Sequence, residues 1–402
     1  MNNTTLLNLA GTWGTPLYVY EGDKIEEKVN ELRAAFAGVP MKIKYACKAN
    51  TNISVLSLMR TLGVEVDVVS PQEMHLALKA GFAPEQITFT SSGVGFEEIE
   101  ECLSHGVLIN VDNLSAMEKF GQKYGSSRPL FLRIRPNVEG GGNLKISTGH
   151  GNSKFGIPVE QKEEILKLVN RYNLNIVGLH QHTGSDIKDG ETFIRAAEVM
   201  FSLAMSFGNL RYLDFGGGFK VAYREGDAVT DMKDLGDKLS ARFQDFCKAY
   251  GRELELWFEP GKFLVSESGF LLAQVNVVKN NPNGTLLGLN TGLNHLIRPM
   301  MYDAYHDVIN ISKAGLPARK KYNVVGYMCE TDDIAKDREL PETEEGDILA
   351  IRNAGAYGFT MASQYNSRFR PAEVLVYRGE EYLIRRRETL DDILKNQVLI
   401  TF

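Results

Sequence analysis

The sequence predicts an α/β protein, a (β/α)8 TIM barrel followed by a C-terminal β-sandwich or barrel-like domain. Three observations carry that expectation. Short apolar runs alternate with amphipathic stretches from about residue 40 to about residue 260, the pattern of a parallel sheet with helices outside it. About eight such units follow in one unbroken series, the number that closes a barrel. After about residue 265 the helical period fades, and short strands separated by turns take over.

The strand candidates of the barrel are Met41–Cys47, Val64–Ser70, Gln86–Ser91, Val107–Asp112, Pro129–Arg135, Asn175–Gln181, Arg211–Phe215 and Leu254–Glu259. Amphipathic stretches such as Ile53–Leu62, Glu73–Ala80, Lys162–Val169 and Met232–Ala249 lie between them. A doubly wound sheet usually has fewer strands and a glycine fingerprint in its first turn, which is absent here. Ser70-Pro71-Gln72-Glu73 reads as a capping box: an N-cap serine, proline at the first helical position and glutamate at the third. It also places the end of a strand at Val69. The longest connection, Asn137 to Ile157, is rich in Gly, Asn and Ser, and a loop of that length is usually functional or disordered. The β-rich texture beyond the barrel includes Phe270–Val278, Tyr322–Tyr327, Asp347–Ile351, Glu373–Tyr377 and Glu381–Ile384. The expected domains are therefore a barrel over 25–264 and a β domain over 265–402. The strand-like Thr15–Tyr20 segment, within 1–24, is a candidate to complete the second domain.

Bulk properties fit a globular protein with a large core. Of 402 residues, 43% are hydrophobic and 24% charged, close to ordinary globular values. A net charge of −6 gives no support to a nucleic-acid groove, which needs clustered Lys and Arg. The short run Arg385-Arg386-Arg387 stands beside Glu388 and reads as a solvated strand end. The four cysteines, at 47, 102, 247 and 329, form no CxxC pair, which disfavours zinc and a disulfide framework. No apolar run approaches the ~18 residues of a membrane span, and Met1-Asn2-Asn3-Thr4-Thr5 lacks the basic region of a signal peptide. These features predict a cytoplasmic protein with reduced thiols.

Several residues at predicted strand ends carry chemistry. Lys48 follows the first barrel strand, and a primary amine at a barrel mouth can condense with an aldehyde. In His180-Gln181-His182-Thr183-Gly184-Ser185, a histidine at a strand tip can stack on a flat ring or move protons. Two histidines two apart also face one side of a strand, so a metal site competes, although no third ligand stands near. Gly216-Gly217-Gly218 ends the seventh strand, where bare N–H groups can wrap an anion. In Glu259-Pro260-Gly261-Lys262, after the eighth, a carboxylate can hold a ring nitrogen in its cationic form. In the second domain, Cys329-Glu330 could supply a proton donor beside a substrate contact. Tyr357, in a glycine-flanked turn, could bond a phosphate oxygen. An amine, a ring-stacking histidine, a glycine cradle and a carboxylate, in barrel order, describe a pyridoxal 5'-phosphate site.

On these residues the chain resembles the diaminopimelate decarboxylases, of the alanine-racemase-like, fold type III group of pyridoxal phosphate enzymes. The likeness runs from Thr15–Tyr20 to Tyr365-Asn366-Ser367-Arg368. The resemblance implies that Lys48 carries the cofactor covalently, that His182 stacks on its ring and that Glu259 pairs with its nitrogen. It implies that Ser185, Gly216 to Gly218 and Tyr357 hold the phosphate. Asp67 and Arg133 match positions near the cofactor, as does the stretch Glu259, Pro260, Gly261 and Lys262. Arg298-Pro299 with Tyr302 matches the signature that grips the distal carboxylate of the substrate. Glu330 would meet the distal ammonium, and Cys329 would be the proton donor. The family places Cys329 and Glu330 across a homodimer interface, in sites shared between the two copies. The family motif usually reads Glu-Pro-Gly-Arg, so Lys262 departs from it, and a lysine cannot make the same bidentate fork. A second departure is Ser70-Pro71-Gln72, where the family commonly has serine-glycine-glycine at a helix start.

The implied reaction is decarboxylation of meso-2,6-diaminopimelate to L-lysine and carbon dioxide. Both signs of charge among Arg298, Lys262, Tyr302 and Glu330 favour a substrate carrying a distal ammonium and carboxylate. The alternatives are a decarboxylase of ornithine, arginine or carboxynorspermidine, a silent cofactor-binding regulatory protein, and an amino-acid racemase on the same barrel.

Overall fold

The computed structural model describes residues 1–138, 153–282 and 284–402. The chain divides into two compact units. One comprises Met1–Ile25, Ala222–Asp227 and Val265–Phe402; the other comprises Glu26–Val221 and Ala228–Leu264. Most of the Asn137–Ile157 connection expected to be functional or disordered lies outside the described residues. Among the described residues, no helix is long and apolar enough to cross a membrane.

The first strand in the chain, β1 (Leu17–Glu21), belongs to the β-rich unit. The barrel is built from β2 (Met41–Ala46), β3 (Glu65–Val68), β4 (Ile87–Thr90), β5 (Leu108–Val111) and β6 (Pro129–Arg135). After the two-residue β7 (Ile157–Pro158), which pairs only with β6, it continues through β8 (Asn175–His180), β9 (Tyr212–Asp214) and β10 (Glu255–Phe258). Every neighbouring pair is parallel, and pairing of β5 with β6 closes the ring. The expected (β/α)8 barrel is therefore present, with its strands at the expected apolar runs and ends shifted by one or two residues.

Sequence explains the local structure. Ser70 Oγ accepts from Glu73 N–H at 3.1 Å and Pro71 opens the helix Pro71–Lys79. The glutamate reaches back one residue beyond the usual box, accepting from Val69 N–H at 2.8 Å. Asn52 caps Ile53–Thr61, and Asp231 caps Met232–Tyr250, by the same side-chain acceptance. Inside the barrel, the rings of Phe131, Tyr212 and Trp257 stack with centroids 4.4–5.7 Å apart. Gly178 leaves the space that the Phe131 ring fills. Buried Lys44 lies 4.2 Å from the centre of the Trp257 ring and 2.6 Å from Glu65. Burial lowers its pKa despite that carboxylate. This layer fills the barrel with aromatic surface and a matched ion pair, leaving the carboxyl ends of the strands for other work.

The β-rich unit contains β1, β11 (Gly269–Asn281), β12 (Gly284–Leu289), β13 (Val308–Asn310), β14 (Lys320–Val325), β15 (Asp333–Leu340), β16 (Ile348–Ile351), β17 (Ala372–Tyr377) and β18 (Glu380–Arg385). The main order is β15-β14-β12-β11-β1-β17-β18, and β16 joins β11 to β13. β1 runs antiparallel to β11 and parallel to β17, so the sheet is mixed. Leu6 and Leu9 of the helix Asn3–Trp13 pack with Leu17, Val19, Leu272, Val374 and Val376 in its core. Tyr20 Oη donates to buried Glu373 Oε1 at 2.7 Å, and Arg385 Nε donates to the other oxygen.

Candidate active site

The carboxyl ends of the barrel strands bring together residues far apart in sequence. Lys48 sits in the single turn Cys47–Ala49 that follows β2. Its Nζ lies 3.8 Å from Oδ2 of Asp67, one residue before the end of β3. Neither Asp67 oxygen has a hydrogen-bond partner of ordinary length, although the side chain is buried. Burial and nearby Glu259 push the Asp67 carboxyl well above its ordinary range, against the pull of Lys48.

His180 ends β8 fully buried, and its Nε2 donates to Glu259 Oε2 at 2.9 Å. Asp214, at the end of β9, accepts from Gly216 N–H at 2.8 Å. His180, Asp214 and Glu259 each bring one ligand-type atom within 4.8 Å of the others. The sequence singled out His180 with His182, whereas these carboxylates come from the next two strands. Burial alone would raise Glu259, but His180, Lys48 and Asp214 outweigh it and hold this carboxyl below the usual range. Burial and Glu259 push Asp214 the other way, well above its ordinary value. Of these carboxyl groups, Glu259 is the one held below the ordinary carboxylate range, while Asp67 and Asp214 are pushed above it. Sequence reading missed Asp214; its signal was an acid two residues ahead of the glycine triplet, at a strand end.

Burial, with Arg133 and Lys48 nearby, holds the His182 pKa well below that of free imidazole. His182 is therefore neutral, and its Nδ1 accepts from Gly217 N–H at 3.2 Å. The glycine turn leaves no room for side chains. A Cβ on Gly216 would stand 2.6 Å from Gln181 O, and one on Gly217 would stand 2.5 Å from Glu259 O. Gly216 and Gly218 also take φ of +65° and +102°, the region that glycine enters without strain. Gly218 O accepts from Ile187 N–H at 2.9 Å, which brings the Gly184–Ile187 loop, with Ser185, beside the turn. Pro260 O accepts from Ala46 N–H at 3.2 Å, and Gly261 packs against Ala46 and Ala49. The Glu259–Lys262 segment is thereby fixed on the turn that carries Lys48. Lys262 itself pairs with Asp186, its Nζ 2.9 and 3.0 Å from the two carboxylate oxygens. Arg133 is buried, with its guanidinium 4.7 Å from the centre of the Phe155 ring.

The remaining sequence-predicted residues belong to the β-rich unit. Arg298 is buried and donates from Nη1 to Tyr223 Oη at 2.9 Å. Tyr302 ends the short helix Arg298–Tyr302. Cys329 is an exposed free thiol. Glu330 is exposed and accepts from Tyr365 Oη at 2.9 Å. Tyr357 is half-buried, with a left-handed φ of 55°.

The barrel residues fit pyridoxal phosphate. An amine, an ionised carboxylate and a neutral imidazole converge there with a glycine turn into which no Cβ fits. Asp67, buried with no close hydrogen bond to its carboxyl oxygens beyond the 3.8 Å contact with Lys48, marks a place where a polar group is expected. Such a constellation defines a pyridoxal-phosphate-dependent enzyme on a TIM barrel. The chain belongs to the pyridoxal-dependent decarboxylases: residues 22–266 match the family described as pyridoxal-dependent decarboxylase, pyridoxal binding domain. More particularly, relatives that match it over nearly the full length include diaminopimelate decarboxylases. That of Methanothermobacter thermautotrophicus is 37% identical over 97% of this chain and 93% of its own. That of Bacillus subtilis is 34% identical over 97% and 92%. The crystal structure of the Helicobacter pylori diaminopimelate decarboxylase, complexed with L-lysine, is 34% identical. It superposes with a TM-score of 0.89 over 97% of this chain and 98% of that one. The cofactor of this chain is pyridoxal phosphate.

Proposed function

We propose that the protein decarboxylates meso-2,6-diaminopimelate to L-lysine and carbon dioxide, as a carbon–carbon lyase. The convergence of Lys48, Glu259 and the Gly216–Gly218 turn on one barrel mouth is the observation that carries this reading. Pyridoxal phosphate, when bound, supplies an electron sink for the pair left behind as a carboxylate departs. Lys48 is the amine that would hold the cofactor's aldehyde. Glu259, ionised and braced by His180, is the acceptor suited to a protonated ring nitrogen. Neutral His182 offers a flat, uncharged face. Ser185 and the side-chain-free Gly216–Gly218 turn, which lets a ligand approach the backbone closely, suit a phosphate.

The bond between the α-carbon and its carboxyl carbon breaks, carbon dioxide leaves, and the carbon takes up a proton. Cys329 is the group assigned to deliver that proton. Arg298 and Tyr302 grip the distal carboxylate, and Glu330 meets the distal ammonium. The exposure of Cys329 and Glu330 supports a homodimer in which each copy completes the other's site. A cytoplasmic location suits a reduced Cys329 thiol.

Carbon dioxide release is measured on meso-diaminopimelate, ornithine, arginine, lysine and carboxynorspermidine. We expect turnover on the first alone. A Lys48→Ala variant is expected to lose its visible cofactor band and roughly 10³-fold or more of the turnover. Turnover on ornithine with none on diaminopimelate would sink the substrate assignment, and a Lys48→Ala variant retaining wild-type rate would sink the site.

A further inference from the structure

We propose that Asp186 and Lys262 form a latch that positions the phosphate-binding loop of the cofactor site, with Lys262 serving that loop and not the substrate carboxylate. The proposal rests on the cofactor reading above and adds Asp186 to the residues that shape the site.

The geometry is local and specific. Lys262 is only 9% exposed, and its ammonium meets both oxygens of Asp186. A buried cation requires a matched anion, and here the match is made within the barrel unit. Asp186 also takes a left-handed φ of 61°, a conformation that aspartate enters more readily than most residues but that still needs support. The next residue, Ile187, is tied on both sides: its N–H donates to Gly218 O at 2.9 Å, and its carbonyl accepts from Thr230 Oγ1 at 2.7 Å. Thr230 Oγ1 in turn accepts from Lys220 N–H at 2.7 Å.

Ser185 therefore lies on a loop held at Ile187 by the glycine turn and at Asp186 by Lys262. Lys262 follows Glu259 by three residues, so one ion pair joins the segment that meets the ring nitrogen to the loop that meets the phosphate. The family's arginine is replaced by lysine at this position. An ammonium centred between two carboxylate oxygens is well served by a point charge, and the planar fork of arginine is not needed for it.

The test uses holoenzyme of the wild type, Lys262→Met, Asp186→Asn and the double variant. Each is dialysed, pyridoxal phosphate is titrated back, and the visible cofactor band reports the dissociation constant. Each single substitution is expected to weaken cofactor binding about tenfold. The double variant should be no worse than the weaker single one, because both remove the same contact. The KM for diaminopimelate, measured at saturating cofactor, should shift less than the cofactor constant does. Unchanged cofactor affinity with a raised KM in Lys262→Met would overturn the proposal and return Lys262 to the substrate. Additive losses in the double variant would overturn it as well. Should Lys262→Met fail to fold, Lys262→Arg keeps the cation and is expected to bind cofactor within about threefold of wild type; a tenfold loss there counts against the latch. A wild-type protein that takes up no pyridoxal phosphate removes the cofactor reading itself. That outcome differs from a wild type that binds it and variants that bind it equally.

Discussion

In the barrel unit, the buried ionisable groups Asp67, His180, Asp214 and Glu259 collect at one rim, where Glu259 perturbs each of the other three. In the β-rich unit, His295, His306 and Glu373 are as deeply buried but dispersed among separate partners. His295 Nε2 donates to Phe369 O at 3.0 Å, and its Nδ1 accepts from Thr291 Oγ1 at 3.0 Å. His306 Nδ1 donates to Arg352 O at 2.9 Å. Glu373 is closed off by Tyr20 and Arg385. A buried polar group with its own partners fastens the chain. Buried groups that share a few neighbouring charges form a site whose charge state can be set. The contrast separates stability from chemistry in terms that substitutions can test.

The largest expected effect is on the fastening side. Glu373→Ala leaves the buried Tyr20 hydroxyl and the part-exposed Arg385 without their anion and should cost about 3 kcal/mol of stability. Thermal unfolding measures this, with the cofactor band of the folded fraction kept; a loss of the band with unchanged stability would break the contrast. Next comes Glu259→Ala, on the chemical side. Removing the carboxylate whose pKa its neighbours hold low should lower kcat by roughly 10²–10³, the scale on which a preorganised electrostatic partner acts. An unfolding curve measured in parallel should move far less than that of Glu373→Ala.

Acid sharpens the comparison further. The His295 pKa is depressed by burial to about 4, against an ordinary 6.5. Between those values the unfolded chain binds the extra proton. Stability is therefore full above about pH 6.5 and falls as the pH drops toward 4, by about 3 kcal/mol for this residue. Urea unfolding across that range should show the slope, and His295→Gln should flatten it. The smallest effect is at a helix start. Ser70→Ala removes a cap and should cost about 1 kcal/mol, with the substrate KM and kcat unmoved in steady-state assays.

The barrel was legible because eight apolar runs follow one another in series with amphipathic stretches between them, and a parallel ring demands little more of its strands. Lys48, Gly216–Gly218 and Glu259 were legible for a related reason: each stands just beyond such a run, where a barrel places its working side chains. Asp214 was not, because a single acid at a strand end signals nothing until β8, β9 and β10 lie side by side. His180 and Glu259 are 79 residues apart, and only ring closure makes them a pair. Lys262 shows the same limit. Its type announces an anionic partner, but the residue chosen, Asp186, lies 76 residues away. In the β-rich unit, turns and period-two runs marked most strands, while the order of the sheet was hidden. Nothing in Leu17–Glu21 announces that it runs between β11 and β17.

That placement of β1 bears on how the protein is made. Tyr20 and Glu373, joined across the sheet, are 353 residues apart. At translation rates of about 5–20 residues per second, a ribosome needs roughly 20–70 s to travel between them. Every barrel strand leaves the exit tunnel within that interval, while β1 must wait with both edges open for β11 and then with one edge open for β17. An apolar strand kept waiting is a natural client for a chaperone at the nascent chain.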